Sequence, residues 1–193
     1  MYTTITKFKI PSILEDILKD LQKIGATPIL VGGSVRDYFL NIPIKDYDIE
    51  IFGINSLEII QNCLEKFGSV KLVGKSFGVL TLRVNEYDFD FALPRTETKI
   101  GLSHQDFEVI TNASLSFKEA AIRRDFTINA IGYDFFKEEF IDPFDGIEDL
   151  RTKTIKHIND KTFIEDSLRV YRAVAFASRF NFKIKEKTKE LCK

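Results

Sequence analysis

The sequence lacks several features that would place it in special protein classes. It has no Trp, one Met and only two Cys among 193 residues. Cys63 and Cys192 have no Cys/His cluster around them, so neither a zinc site nor a disulfide framework is indicated. No apolar run reaches the roughly 18 residues of a membrane helix, and the N-terminal residues lack the apolar stretch of an export signal. We therefore expect a cytoplasmic protein without a membrane segment.

The chain also has little net charge, −1, but its charges are unevenly distributed. Residues 1–150 hold 16 Lys and Arg against 24 Asp and Glu, whereas residues 151–193 hold 12 against 5. The two parts therefore carry −8 and +7. Acidic clusters suit a metal site and a basic segment suits phosphate, although a solvated basic helix surface explains the second part equally well on charge alone.

The chain is 44% hydrophobic with 18 Phe, which is enough for one domain, or one domain with a small appendage. Hydrophobic spacing predicts an α+β fold. Helices are predicted over 12–24, 35–40, 56–67, 116–130 and 160–179, and strands over 28–31, 47–52, 70–73, 79–84 and 87–93, with a small hairpin over 131–136 and 139–141. Capping boxes at Ser12 and Ser116 support two of the helices. Residues 94–115 are predicted to be a long irregular loop, and the main boundary lies near Asn159.

A glycine turn and pairs of carboxylates form the first group with chemical meaning. Gly32 and Gly33 follow an apolar strand and precede a helix, an arrangement that suits an anion such as a triphosphate. Asp46 and Asp48 are two apart on a predicted strand, so they share one face. Asp88 and Asp90 share a face of another strand. Oxygen-only ligands favour Mg²⁺ or Mn²⁺, and paired carboxylates holding two metals are typical of in-line attack on a nucleoside triphosphate.

Each of these features alone has a plainer explanation. A Gly-Gly pair before a helix is usually only a tight turn, and an Asp-x-Asp strand is often a solvated edge. The competing phosphate motifs are absent, because Gly74-Lys75-Ser76 has no Gly five positions before it and the chain has no Gly-x-Gly-x-x-Gly. The order and spacing of the glycines and carboxylates are those of the polymerase-beta-like nucleotidyltransferase superfamily, which the sequence therefore resembles.

Five blocks in the same order make the resemblance more specific. The sequence resembles the class II tRNA CCA-adding enzymes and their bacterial poly(A) polymerase relatives. The five blocks are residues 30–37 together with 45–48, residues 90–95, residues 123–130, residues 142–150 and residues 165–172. The resemblance implies a polymerase-beta-like head, a mixed sheet of about five strands with flanking helices, over residues 1–150. Residues 151–193 would begin an all-helical neck, and the family's body and tail would be absent.

The resemblance also implies roles for individual residues. Asp46, Asp48 and Asp90 would hold the metal and carry catalysis, with the choice between Asp88 and Asp90 left open. The triphosphate would be bound by Gly32, Gly33, Arg36, Arg123 and Arg124. The ribose would be bound by Asp125, with Asn129 in the same motif. Asp166 and Arg169 would pair with the base, oriented by Glu165 and Arg172. On a single helix Glu165, Arg169 and Arg172 share one face, opposite an apolar one, and a surface ion-pair ladder is the plainer explanation of that face. His104 and His157 are expected to be ordinary surface residues.

The implied activity is template-independent addition of CMP and AMP, from CTP and ATP, to the 3′ end of tRNA, with Mg²⁺ or Mn²⁺ and no obligate protein partner. CC-only addition, A-only addition and poly(A) synthesis share these motifs and stay open. So does a non-catalytic module that binds RNA or nucleotides, although all the carboxylates are present.

Overall fold

The computed structural model describes residues 8–74, 78–101 and 106–193, and its centre is a mixed sheet of seven strands. The strands are β1 (Thr27–Val31), β2 (Asp46–Phe52), β3 (Val70–Val73), β4 (Val79–Val84), β5 (Tyr87–Ala92), β8 (Gly132–Asp134) and β9 (Glu139–Ile141). Their order across the sheet is β3-β4-β5-β2-β1-β8-β9, in which β2 and β5 are parallel and the other neighbours antiparallel. The predicted mixed sheet is confirmed. It has more than five strands because the predicted hairpin, β8 and β9, joins it through β1.

Helices cover this sheet and bury apolar side chains against it. They are α1 (Ser12–Lys23), α2 (Gly33–Phe39), α3 (Leu57–Leu64), α4 (Phe117–Ala121) and α5 (Gly146–Arg151). The buried residues of α1, each worth about 2 kcal/mol of burial, are Leu14, Ile17, Leu18 and Leu21. The capping box at Ser116 is confirmed. The one at Ser12 is wrong, because Pro11, which has a fixed φ and no N–H, takes the cap position and Ser12 lies inside the helix.

The predicted long loop over 94–115 is instead largely a β-hairpin. Its strands, β6 (Arg95–Lys99) and β7 (Phe107–Thr111), pair antiparallel with Arg95 opposite Thr111. The alternation of its side chains is too polar to distinguish it from a loop by hydrophobic period. His104 lies outside the described residues, as do the residues before Phe8.

The predicted helix over 116–130 is wrong after Ala121. The Arg124 amide donates to the Ala121 carbonyl in a tight turn, and Phe126 forms a bridge with His157. A short 3₁₀ turn, Thr127–Asn129, follows. The cause is tertiary, because the Thr127 amide donates to the Lys156 carbonyl and so leaves the helical pattern. The expectation for His157 is also wrong, since it is 5% exposed and contacts Thr188 and Asp160.

The predicted helix over 160–179 is two helices. They are α6 (Asp160–Ile164) and α7 (Leu168–Phe180), and the Asp166 carboxylate, accepting from the Leu168 amide, lies between them. The expected apolar face is exposed rather than packed, at Ile164, Leu168, Tyr171 and Ala175. The chain continues through a two-stranded parallel sheet, β10 (Thr154–Ile155) with β11 (Lys183–Ile184), and α8 (Glu186–Leu191).

Residues on both sides of the predicted boundary contribute to one core. Phe163, Ala173 and Phe182 belong to the same buried cluster as the inner residues of the large sheet. The division into 1–150 and 151–193 stays a prediction. Of the helices in the described ranges, none has the length and apolar character needed to cross a membrane.

Candidate active site

The glycine turn brings backbone close to the first carboxylate. Gly32 follows β1 with φ 71° and ψ −135°, a conformation that favours glycine. A Cβ atom at Gly32 would lie 2.8 Å from Oδ2 of Asp48 and 3.5 Å from Nη1 of Arg124. The Gly33 N–H donates to the Asp48 carboxylate. The turn therefore places Asp48 and Arg124 side by side without a side chain between them.

The parallel pairing of β2 and β5 places the four acidic residues in two neighbouring pairs. Asp48 lies opposite Asp90, and Asp46 lies opposite Asp88. Paired strands are about 4.8 Å apart. Thr81 on β4 donates its hydroxyl to Oδ1 of Asp90 at 2.6 Å. Asp90 borders the same cleft as Asp48, whereas Nε of Arg83 lies 3.6 Å from Asp88. This geometry favours Asp90 over Asp88 as the third carboxylate.

Asp48 is exposed as a residue, but its carboxyl group lies in an environment that opposes ionisation. Desolvation by the surrounding protein raises its pKa above the ordinary value, and the neighbouring Asp90 and Asp46 raise it further. Arg124 and the Gly33 amide act in the opposite direction. A carboxylate disfavoured in this way gains from a nearby cation.

The donor set fits a hard divalent cation that also binds phosphate. In the described part of the chain, no group of three or more Asp, Glu, His or Cys side chains is arranged so that it could hold a metal ion. Mg²⁺ does not require one, because it is usually held by one or two carboxylates and completes its shell with water and substrate phosphates. The exposed Asp46 and Asp48, with the half-buried Asp90 opposite Asp48, supply that kind of open site.

Three arginines and two glutamates form an ion-pair network along the same cleft. Nη2 of Arg123 and Nη2 of Arg124 lie 3.2 and 3.3 Å from the Glu50 carboxylate. Glu97 on β6 pairs with Nη1 of Arg123 at 3.2 Å and with Nε of Arg95 at 2.9 Å. Burial lowers the pKa of Arg95. The cleft, about 230 Å³, is lined by Val31, Asp48, Ile49, Glu50, Val79, Asp90, Ala92, Arg95, Arg123 and Arg124.

The predicted ribose and phosphate residues beside this network are already partnered. Asp125 accepts from the Phe126 amide, from Nδ2 of Asn129 at 3.0 Å and from Nε of Arg172 at 2.6 Å. Arg36 donates to Asn129 at 2.8 Å and to Asp37, and its guanidinium lies over the Phe176 and Phe180 rings. The structure therefore places Arg36 between α2 and α7 and not along the cleft.

The predicted base-reading residues lie where α7 meets the segment that carries Arg123 and Arg124. Arg169 is buried and donates to the backbone carbonyls of both arginines. Its Nε lies 4.0 Å from Oδ2 of Asp166. Glu165 lies after the end of α6, so it does not share one helix face with Arg169 and Arg172.

Sequence reasoning missed Glu50 and Glu97 as members of the site. Glu50 continues the period-two series of Asp46 and Asp48 on β2, and that alternation was the available signal. Glu97 has no such signal, because the polar sequence of β6 predicts a loop.

Comparison with known proteins gives one family and a consistent set of relatives. Residues 29–156 match the model described as the poly A polymerase head domain. The multifunctional CCA proteins of Haemophilus ducreyi and Nitrosomonas europaea are each 39% identical to this chain, over 165 and 163 residues. These alignments cover 84% of this chain but only 38% and 37% of the relatives. The chain therefore spans well under half the length of the curated relatives it matches.

Solved structures show the same similarity. An apo CCA-adding enzyme superposes with a TM-score of 0.80 at 31% identity, covering 95% of this chain and 44% of that one. A CCA-adding enzyme with ATP gives 0.76 at 31% identity, with 95% and 41% covered. The Bacillus stearothermophilus CCA-adding enzyme in complex with CTP gives 0.73 at 28% identity, with 94% and 43% covered.

Proposed function

Because this chain belongs to the poly A polymerase head domain family, we propose that it transfers nucleotides, adding CMP and AMP from CTP and ATP to the 3′ end of tRNA. The observation that carries the proposal is the lateral pair Asp48 and Asp90 beside the Gly32 turn and Arg124. Relatives named as CCA proteins, and similar enzymes solved with CTP and with ATP, support these substrates. With such substrates, we expect the reaction to take place in the cytoplasm.

In this mechanism the chain's residues bind and orient the reactants. Asp46, Asp48 and Asp90 would hold Mg²⁺ or Mn²⁺, which when bound lowers the pKa of the attacking 3′-hydroxyl and stabilises the leaving pyrophosphate. Arg123 and Arg124 line the cleft and would contact the phosphates. The cleft is smaller than the roughly 300–1,000 Å³ of pockets that enclose whole ligands, so it suits the polyphosphate end of the nucleotide.

The base and the ribose would lie on the side of α7. Asp166 and Arg169 would pair with the Watson–Crick edge of C or A, because together they provide an acceptor and donors. Asp125, which already binds Asn129 and Arg172, would accept from the ribose hydroxyl with its remaining lone pairs. The roles of Arg36 and Glu165 would be indirect, since Arg36 packs against α7 and Glu165 lies before it.

The test is incubation of the chain with tRNA that lacks its 3′ CCA and with each labelled nucleoside triphosphate in turn. We expect incorporation of CMP from CTP, then of one AMP from ATP, with Mg²⁺ required. Incorporation of UMP or GMP at comparable rates would contradict the proposal.

Poly(A) synthesis is the second candidate, because the matched family model carries the description of a poly A polymerase. A ladder of many AMP additions without CTP would establish it instead. Products that stop after CC, or that need a CC end before A is added, would identify the two narrower activities. Absence of any incorporation together with tight nucleotide binding would identify a non-catalytic binding module.

A further inference from the structure

A buried glutamate lies behind the two arginines of the cleft. Glu50 is 1% exposed, and its two carboxylate oxygens receive Nη2 of Arg123 and Nη2 of Arg124 at 3.2 and 3.3 Å. An ionised carboxylate at such a position is costly unless it is paired. Here one carboxylate is shared between two guanidinium groups, so it fixes both with respect to the same strand.

Each arginine has limited alternatives for orientation. Nη1 of Arg123 is held by Glu97, and Nη1 of Arg124 donates to the Asn129 carbonyl at 3.2 Å. Within the described residues, Nε of each arginine is buried without a hydrogen-bond partner. The two guanidinium planes therefore depend on Glu50 for one of their ion-pair contacts. Because guanidinium recognises phosphate through a planar fork, the direction of that plane decides how well it binds.

We propose that Glu50 is a positioning residue for the polyphosphate group, acting through Arg123 and Arg124. The inference rests on the proposed function and adds a residue to it. Glu50 has two opposed effects on an anionic substrate. Its negative charge weakens the general attraction of the cleft for phosphate, and its two ion pairs aim the guanidinium groups. Orientation gained at the expense of raw affinity favours turnover over tight ground-state binding.

The experiment replaces Glu50 by the uncharged isostere, Glu50→Gln, and measures two quantities separately. Calorimetry with inorganic pyrophosphate should show tighter binding, by at least about threefold, because one negative charge has left the cleft. Single-nucleotide addition from CTP should show kcat lower by about a hundredfold, as expected when reacting groups are misplaced by about 1 Å, with no rise in KM. Unchanged kcat, or pyrophosphate affinity that falls together with kcat, would overturn the proposal, since a merely structural role weakens both.

Two further variants keep the test decisive. Glu50→Asp retains the charge but withdraws it by one methylene, so kcat should fall while pyrophosphate affinity stays at the wild-type value. If circular dichroism shows that Glu50→Gln does not fold, Glu50→Asp alone tests the proposal. Wild-type turnover by Glu50→Asp would overturn it. The matched control is Glu86→Gln, the same change at an exposed carboxylate paired with Lys45 at 3.0 Å, and it should alter neither quantity.

Failure of the proposed function is distinguishable from failure of this inference. If the wild-type chain incorporates no nucleotide, the proposed function is wrong. The comparison of pyrophosphate affinity between the wild type and Glu50→Gln still reports whether Glu50 opposes anion binding in the cleft. Equal affinities in the two proteins would refute the role of Glu50 in either case.

Discussion

At the scale of single residues, Asp48 lies where the Gly32 turn, Arg124 and Asp90 come together. Because desolvation of its carboxyl group by the surrounding protein and the neighbouring carboxylates raise its pKa, the folded state binds a proton at this site more readily than the unfolded chain does. The contribution of Asp48 to stability is therefore greatest at acid pH and falls as pH rises above the ordinary carboxyl value. At neutral pH without a metal ion, Asp48 therefore contributes less to the stability of the fold than it does at acid pH.

We therefore predict that Asp48→Asn raises the thermal unfolding midpoint at pH 7 in the absence of divalent ions and reduces nucleotide incorporation at least about a hundredfold. Adding Mg²⁺ should stabilise the wild type and leave the variant unchanged. Calorimetric unfolding with and without Mg²⁺ measures the first effect, and the labelled-nucleotide assay measures the second. Asp88→Asn is the matched comparison, since Asp88 lies outside the cleft lining. A variant with turnover within tenfold of the wild type would refute the metal assignment of Asp48.

Sequence reasoning identified most of the site residues. It failed where contacts between distant parts of the chain determine the local structure. The period-two pattern placed Asp46 and Asp48 on one face correctly, and the glycine turn precedes α2 as predicted. The alternation on one strand does not identify the strand that lies beside Asp48, because parallel pairing of β2 with β5 depends on distant parts of the chain. Glu50 was overlooked because a charged residue on a strand has a plain interpretation as a solvated one, and only the packing of Arg123 and Arg124 shows otherwise.

At the scale of elements, α7 is attached to the arginine segment by polar contacts at two successive turns. Arg169 donates to the carbonyls of Arg123 and Arg124, and Arg172 pairs with Asp125 at 2.6 Å. Burial lowers the pKa of Arg169. The segment is not helical, so its carbonyls are free to accept these bonds. The failed prediction of a helix up to Ala130 and the attachment of α7 thus have a common cause.

Base selection should depend on this junction. We predict that Asp166→Ala relaxes the preference for CTP and ATP over UTP and GTP by about 5- to 150-fold, since a bidentate pairing contributes roughly 1–3 kcal/mol of discrimination. Arg169→Ala should relax it similarly and also lower stability by about 1–3 kcal/mol, because two backbone carbonyls lose a charged donor.

The ratios of kcat/KM for the four nucleotides measure the first effect, and denaturant titration measures the second. Arg179→Ala, on the same helix but stacked over Phe180, is the control and should change neither. Selectivity retained in both Asp166→Ala and Arg169→Ala would show that α7 has only a structural role.

At the scale of the whole molecule, the acidic and basic parts of the chain serve different steps of the proposed reaction. The carboxylates and arginines of the cleft lie within residues 1–150, whereas residues 151–193 carry a net charge of +7. Charge of this kind attracts the phosphate backbone without shape recognition, and such binding weakens as salt displaces it.

We predict that the affinity of this chain for tRNA falls at least about tenfold between 50 and 200 mM salt, while its affinity for CTP with Mg²⁺ changes much less. Gel shift at the two salt concentrations measures the affinity for tRNA, and calorimetry at the same concentrations measures the affinity for CTP. Nanomolar tRNA binding that is insensitive to salt would show that this chain recognises the RNA by shape and not by charge alone.

The conformation of Gly32 also limits how this protein can change over time. Every codon for glycine mutates, by any single-nucleotide missense change, to a residue that has a Cβ atom. At Gly32 that atom would meet the Asp48 carboxylate at 2.8 Å while the backbone keeps φ at 71°. No one-step substitution relieves both conflicts, so this position has no neutral route to another amino acid while the site remains in use.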